Sequence, residues 1–396
     1  MKKRILIAVA CVLLAALILQ LPIPREQVSQ PTEPTVPTTT QPTTTLPQRE
    51  PGVVRLYSCD KERLPELVVL AEEYYALTGT EVILLSAQEE GCRATLENLM
   101  ASQVPPTVLC LHSQEDLENW ADDLLDLQPT PLSQALMAEA FGFRMDGKLL
   151  ALPMELEAKG LMFNAQLMAV SLTRKDITDF TTLSTAVQIL KNNGLKAFAT
   201  AHWENALHLL QNSQPDSVRA FLDLYAGYSL ADGDGMTQFL QGKAVFYFGG
   251  SDLYDQMEQQ ADRKVEMRNL DMLPLWTAEG MHYTCATAWA VNGSAREEDV
   301  AATLAFLTWL VTAEEGKAAP VDRLQTLTPF VQAAWYGTQL EKKIRGYMSQ
   351  EPAVLLWAAP EAETTVLIHA LRGYLSDPTE ETWAVAMGLL WKNRPM

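Results

Sequence analysis

The chain has 396 residues, 48% of them apolar and 20% charged, enough to bury a large core and to build two domains of ordinary size. Its net charge is −19, and without the basic cluster Lys2, Lys3 and Arg4 the remainder carries 27 basic against 49 acidic residues. A surface so acidic repels phosphate backbones and anionic bilayers, which excludes nucleic acid as a partner class.

MKKR is followed by an uninterrupted apolar run from Ile5 to Leu19 and then by Gln20, Leu21 and Pro22. Residues 1–23 therefore read as a secretory targeting segment, with the basic end in the cytoplasm and the rest of the chain outside. An uncleaved anchor, a cleaved signal peptide and lipid attachment at Cys11 all stay open. Residues 24–52, PREQVSQPTEPTVPTTTQPTTTLPQREPG, hold almost nothing to bury and many prolines, and are expected to form an extended stalk. The folded head begins at Val53.

In the head, VVRLY (53–57) predicts a strand, Glu62 to Thr78 a helix stopped by Gly79, VILLS (82–86) a strand, Gly91 to Ser102 a helix and TVLCL (107–111) a third strand. Such alternation predicts a parallel sheet with covering helices, whose ligands sit beyond the carboxyl ends of the strands. Those ends carry Asp60 and Lys61 after the first strand and His112 and Ser113 after the third.

Asp146-Gly147 is a turn signal before KLLALP, and Pro153, which cannot donate to a ladder, ends that strand. The following LEAKGLMFN reads as a strand of a second sheet. The stretch between them, with Glu155 and Glu157, becomes a crossover exposed in a crevice between two lobes.

Further along, Phe180 to Asn193 predicts a helix, LKAFAT (195–200) a strand, Trp203 to Gln211 a helix, and GKAVFYFGGSD (242–252) a strand running into a glycine turn at Gly250, Ser251 and Asp252. TAWAVN (287–292) is another strand. Ser294 with Glu297 reads as a capping box opening a helix that buries Val300, Leu304, Leu307 and Val311. The last hundred residues read as mostly helical.

Several chemistries find no support. ADGDGM resembles the start of a calcium loop, but counting from Asp232 the twelfth position is Lys243, where a bidentate Glu is required. His202 and His208 are six apart, there is no C-x-x-C pair, and neither a nucleophile elbow nor a phosphate-cradling glycine loop occurs. No metal and no cofactor are expected, and Cys59, Cys92, Cys110 and Cys285 are expected as free thiols, with Cys59 and Cys110 near neighbours. Glu155 and Glu157, at i, i+2 on one strand, would lie roughly 7 Å apart on the same side, a separation that inverting glycosidases use. Catalytic carboxylates normally flank the sugar from different elements, so a solvated edge or a hydrogen bond to a hydroxylated ligand are the competing readings. Trp203, Trp276, Trp289 and Trp357 are candidate stacking platforms for sugar rings, with Trp203 the least core-like by its neighbours.

LYSCDKE, PPTVLCLHS, DGKLLALPMELEAKGLMFN, FLQGKAVFYFGGSD, TAWAVNGSAREEDVAATLAFLTWLVTAEEGK and LRGYLSDPTEETWAVAMGLLW occur in this order across nearly all of the head. In these pieces the head resembles the family 1 extracellular solute-binding proteins of bacterial ABC importers, the group that includes the maltodextrin-binding protein. The most specific piece is DGK-x-x-x-x-P followed by a strand ending in aromatic-Asn. The resemblance implies an α/β fold of two lobes joined by crossing hinge segments: residues 53–152 with 285–328, and 158–282 with 335–396. It implies polar ligand contacts from Asp60 and Lys61, a ligand-contacting hinge position for Glu157, and an aromatic contact from Trp203. The chain departs from the pattern at Gly250-Ser251-Asp252, where many members carry Gly-x-Trp, at Pro106-Thr107 in place of Pro-Asp, and near Glu361 to Thr364, which lacks an aromatic.

These readings converge on a monomeric, non-enzymatic solute-binding protein. It is expected at the outer face of the cytoplasmic membrane, or secreted if the first segment is cleaved, and delivers a carbohydrate or other polyhydroxylated solute to an ABC permease. A relative that has lost transport and serves as a surface sensor or scaffold is the alternative, and an exported glycoside hydrolase the third.

Overall fold

The structure, a computed structural model, describes residues 51–392 except 62, 88–90, 170–171, 202, 204–205, 207–209, 211–213, 231–232, 274–280, 313–318, 325–326, 332–336, 351 and 359–360. The expected targeting segment, nearly all of the stalk, His202, His208 and Trp276 lie outside the described residues, as does most of the expected helix 203–211. No described helix is long and apolar enough to cross a membrane.

Twelve strands are described: β1 (Val54–Ser58), β2 (Val82–Ser86), β3 (Val108–Leu111), β4 (Phe143–Met145), β5 (Lys148–Pro153), β6 (Glu157–Asn164), β7 (Lys196–Phe198), β8 (Ala244–Gly250), β9 (Leu270–Leu273), β10 (Met281–Cys285), β11 (Ala288–Val291) and β12 (Ala353–Trp357). They form two six-stranded sheets. The first runs β2-β1-β3-β11-β5-β4, and the second β12-β10-β6-β8-β7 with β9 also on β6. β1 is parallel to β2 and β3, whereas β11 is antiparallel to both β3 and β5. The β4–β5 hairpin turns at Asp146 and Gly147, with φ of 51° and 79°, the left-handed pair that an Asp-Gly turn favours.

Pro153 is the last residue of β5, and after three intervening residues β6 opens in the other sheet. Ala286 and Thr287 carry the chain back from β10 to β11. A third passage is marked by the bridges Leu156 to Leu327 and Leu136 to Phe330.

Along β6 successive side chains enter cores on opposite faces, as a strand requires. Leu161 and Phe163 join a core with Trp203, Phe221, Tyr225 and Phe248, while Ala158 and Met162 face a larger core that continues into the first sheet. The sheets also meet at an aromatic seam. Phe141 lies edge-on to Tyr283 of β10 at 5.3 Å, and Phe143 stacks on Trp357 of β12 at 3.9 Å.

Three local expectations are corrected. Helix Glu297–Val311 has Arg296 at its cap position without a side-chain cap, because the Ser294 hydroxyl donates instead to Asp123. Its buried face is Asp299, Thr303, Phe306, Leu307, Leu310 and Val311, turned so that Asp299 meets Arg55. AVLLW at 353–357 is a strand, β12, held parallel to β10. Finally, Cys59 and Cys92 are joined in a disulfide with Cα atoms 5.7 Å apart, whereas Cys110 and Cys285 are free and buried. Cys59 lies just past β1 and Cys92 opens helix Cys92–Met100, so the bond ties a strand end to a helix start rather than two neighbouring strands.

Candidate functional site

A crevice of about 530 Å³ opens where β1 ends and the crossing segments pass, lined by Asp60, Arg63, Glu66, Glu155, Ala286 and Thr287. Its position beyond the carboxyl end of a parallel strand is the one that open α/β sheets reserve for ligands.

Asp60 is set by a turn: its N–H donates to Ser58 Oγ at 3.2 Å, and its carboxylate accepts the Arg63 N–H at 3.1 Å. Lys61 beside it is exposed. Arg63 is the residue that the sequence did not single out. Its guanidinium donates to the Leu324 carbonyl at 2.7 Å and to Glu155 at 3.0 Å, so one side chain ties the β1 turn to two of the crossing segments. Nothing in its local sequence announces this, because both partners are remote along the chain. Desolvation in the crevice pushes the Glu155 carboxyl above its ordinary range, and the Arg63 charge opposes that rise.

Glu155 and Glu157 do not share a strand edge. Glu155 lies in the crossover and pairs with Arg63, whereas Glu157 opens β6 and takes an ion pair from Lys159 at 2.8 Å and a hydrogen bond from Thr284 Oγ1 at 3.4 Å. Proline ends β5 before the pair, so the i, i+2 geometry of a continuous strand never arises.

Around Glu157 the glycine turn supplies a second carboxyl. A Cβ built on Gly250 would fall 2.1 Å from Asp252 Oδ1 and 3.3 Å from Glu157 Oε1, so the missing side chain is what lets the two acids approach. Desolvation, then the hydrogen bond and charge of Glu157, push the Asp252 carboxyl up to about 7, with Lys159 pulling the other way. A carboxyl raised in the fold binds its proton more tightly there than in the unfolded chain, so its contribution to stability falls as pH rises from about 4 to 7. Asp252→Asn removes that penalty, and its melting temperature relative to wild type is expected to be higher at pH 8 than at pH 5. A pH-independent difference in thermal melts would show that Asp252 ionises without strain.

The other residues read from the sequence make contacts within the fold. Ser113 caps helix Gln114–Trp120 by accepting the Asp116 N–H at 3.0 Å. His112 donates its backbone N–H to Asp116 at 3.0 Å and turns Nδ1 toward the Ala286 carbonyl at 3.2 Å. Ser251 is buried and accepts the Ala158 N–H at 3.1 Å. Trp203 is 4% exposed and packs edge-on against Tyr225 and beside Phe248, so the structure places it in the core and not in the crevice. Polar neighbours in sequence suggested otherwise, but only the contacts with Tyr225 and Phe248, both remote along the chain, decide it. Trp289 is also buried, and Trp357 is occupied by Phe143 and by a hydrogen bond from its ring N–H to Gln114 at 3.4 Å. Asp234, from the calcium-like stretch, caps helix Gly235–Leu240.

The crevice thus presents several acids and one guanidinium. Hydrogen-bond acceptors of that kind suit a ligand rich in hydroxyl or amino donors.

A sequence profile described as bacterial extracellular solute-binding protein matches residues 70–334. No curated protein sequence matches the chain. Among solved structures, a family 1 extracellular solute-binding protein from Alicyclobacillus acidocaldarius superposes with a TM-score of 0.67 at 10% identity, over 87% of this chain and 98% of that one. The bacterial solute receptor AcbH, whose description gives an exclusive preference for β-D-galactopyranose, gives 0.65 at 14% identity, over 86% and 98%. A cyclic α-maltosyl-1,6-maltose binding protein from Arthrobacter globiformis gives 0.60 at 14% identity, over 87% and 99%. At these identities the superpositions establish a shared two-lobed α/β fold.

Proposed function

The chain belongs to the bacterial extracellular solute-binding proteins, and from that premise we propose that its head takes a carbohydrate into the crevice beside Glu155 and presents it to an ABC permease. The observation that carries this reading is the crevice itself, about 530 Å³ in volume, lined by Asp60, Arg63, Glu66 and Glu155 at the crossing segments. Sugar ligands of the structural neighbours AcbH and the Arthrobacter protein support the substrate class.

In this reading residues 53–152 with 285–328 move as one lobe and 158–282 with 335–396 as the other. Ligand binds the closed arrangement better than the open one, and closure follows from that difference in affinity. Asp60 and Glu155 approach the solute from one side, and Glu157 and Asp252 from the other. The first 23 residues and the stalk would hold the head outside the membrane. Glu155 and Glu157 each answer to a separate cation, Arg63 and Lys159, an arrangement that holds both as acceptors and leaves neither placed as an acid and base pair across one bond. In this reading the head is a receptor and not an enzyme.

Calorimetric titration of the full chain in detergent with neutral mono- and oligosaccharides tests this. One or more sugars are expected to bind without product appearing. Hydrogen bonds to charged groups contribute about 1.5–3 kcal/mol against about 1 for neutral ones, so Glu157→Gln is expected to weaken binding roughly tenfold. Hydrolysis of any sugar tested, or unchanged affinity in Glu157→Gln, would remove this reading.

A further inference from the structure

Cys59, Cys92 and His112 are 33 and 20 residues apart along the chain and form no metal-binding motif. The fold nevertheless brings them together at the rim of the first sheet: the two sulfurs and a ring nitrogen of His112 all lie within 4.8 Å of one another. His112 Nε2 is buried and has no hydrogen-bond partner among the described residues, an unusual state for an imidazole nitrogen. The other ring nitrogen explains its character. Nδ1 lies 3.2 Å from the Ala286 carbonyl, and donation there leaves the lone pair on Nε2, the tautomer that ligates metals. Tyr57 supports the sulfur side, with its hydroxyl 3.1 Å from Cys59 Sγ and donating to the Cys92 carbonyl at 2.6 Å.

We propose that Cys59, Cys92 and His112 form a redox-gated site for a thiophilic divalent ion of the zinc class: closed as a disulfide, open to metal when reduced. Two thiolates and one neutral imidazole are a three-ligand set that leaves the fourth tetrahedral position to water. Opening requires a dithiol reductant. It supplies two electrons and two protons, the Cys59–Cys92 bond becomes two thiols, and the reductant closes to its own disulfide. Metal binding then releases the two thiol protons to solvent. The sulfurs must separate from bonding distance to that of two ligands on one ion. A strand end and a helix start can yield by that amount more readily than two paired strands. This site is independent of the carbohydrate reading, since none of its three residues lines the crevice.

The test uses the full chain in detergent, reduced with a dithiol that is then removed anaerobically, and titrated with Co²⁺ as an optical reporter. One equivalent is expected to bind with thiolate-to-cobalt charge-transfer absorption, and Zn²⁺ is expected to displace it. The oxidised chain is expected to show no such band. His112→Gln is expected to weaken binding at least ~100-fold, since even outer-shell partners of metal ligands are worth roughly 10–100-fold. Bound Zn²⁺ is expected to protect Cys59 and Cys92 from alkylation in the wild type. Absence of the band in the reduced chain, equal binding by oxidised chain or by His112→Gln, protection mapping to Cys110 or Cys285, or loss of the far-ultraviolet dichroism on reduction would each overturn the proposal.

Discussion

Asp299→Ala is expected to cost the head about 3–5 kcal/mol, the penalty for stranding a buried charge without its partner. On a domain of this size that corresponds to a melting temperature lower by roughly 5–10 °C. The Asp299 side chain is 1% exposed and accepts from Arg55 at 2.6 Å, from Arg296 at 2.9 Å and from the Val53 N–H at 2.9 Å. Arg55 is itself buried in β1, and the loss leaves its guanidinium with the Pro105 carbonyl as its acceptor among the described residues. The same region joins Thr107, whose hydroxyl accepts from both the Arg55 N–H and Thr303. Burial alone would raise the Asp299 carboxyl, but the two guanidiniums and the Val53 amide outweigh it and hold it well below the usual carboxylate range. A depressed carboxyl contributes stability above its unfolded value of about 3.9 and loses it as pH falls through the folded value. The deficit of Asp299→Ala relative to wild type should therefore shrink as unfolding is measured at successively lower pH below about 4. A deficit constant from pH 7 to pH 3 would mean that the carboxylate works by packing and not by charge.

Phe141→Ala is expected to lose about 3–5 kcal/mol, as large aromatic truncations in closed cores do. Phe141 has no exposed surface and meets Tyr283 of the second sheet, so the cavity opens between the two sheets and not within either. Trp357→Ala, at the partly exposed end of the same seam, removes a stacked pair worth roughly 0.5–1.5 kcal/mol beyond its burial, and should cost less. Urea denaturation of both variants settles the ranking. Equal losses would show that the seam holds the sheets together along its whole length, with no deeper anchor at Phe141.

How far the fold could be read ahead of the structure depended on whether the signal was local. VILLS gave β2 at its observed bounds, and Pro153 marked the place where the chain leaves one sheet for the other. β12 was missed because five apolar residues amid helical periodicity carry no sign of the strand they will pair with, and its partner β10 is about seventy residues away. The glutamates of the crossover were visible in the sequence, but the pairing of Glu155 with Arg63 was not, since an ion pair between distant segments leaves no pattern in either, and the pairing of Glu157 with Lys159 two residues on depends on side-chain placement along β6. Cys59 and Cys92 were legible as cysteines and not as a bond, because a pairing depends on which strand end meets which helix start.

The place of β11 between β3 and β5 has a consequence for how the head is made. Until residues 288–291 arrive, no strand pairing among the described residues joins the parallel piece β2-β1-β3 to the hairpin β4-β5, and each offers an unpaired edge to water or to a neighbouring chain. A polypeptide emerging amino end first must keep those edges apart while the whole second sheet up to β10 is still being delivered. Pairing across so long a stretch is slow, because closure entropy is lost before the contacts form. Assembly is thus gated by a four-residue strand nearly three quarters of the way along the chain, and a fragment stopping short of it would hold two sticky half-sheets instead of a smaller stable domain.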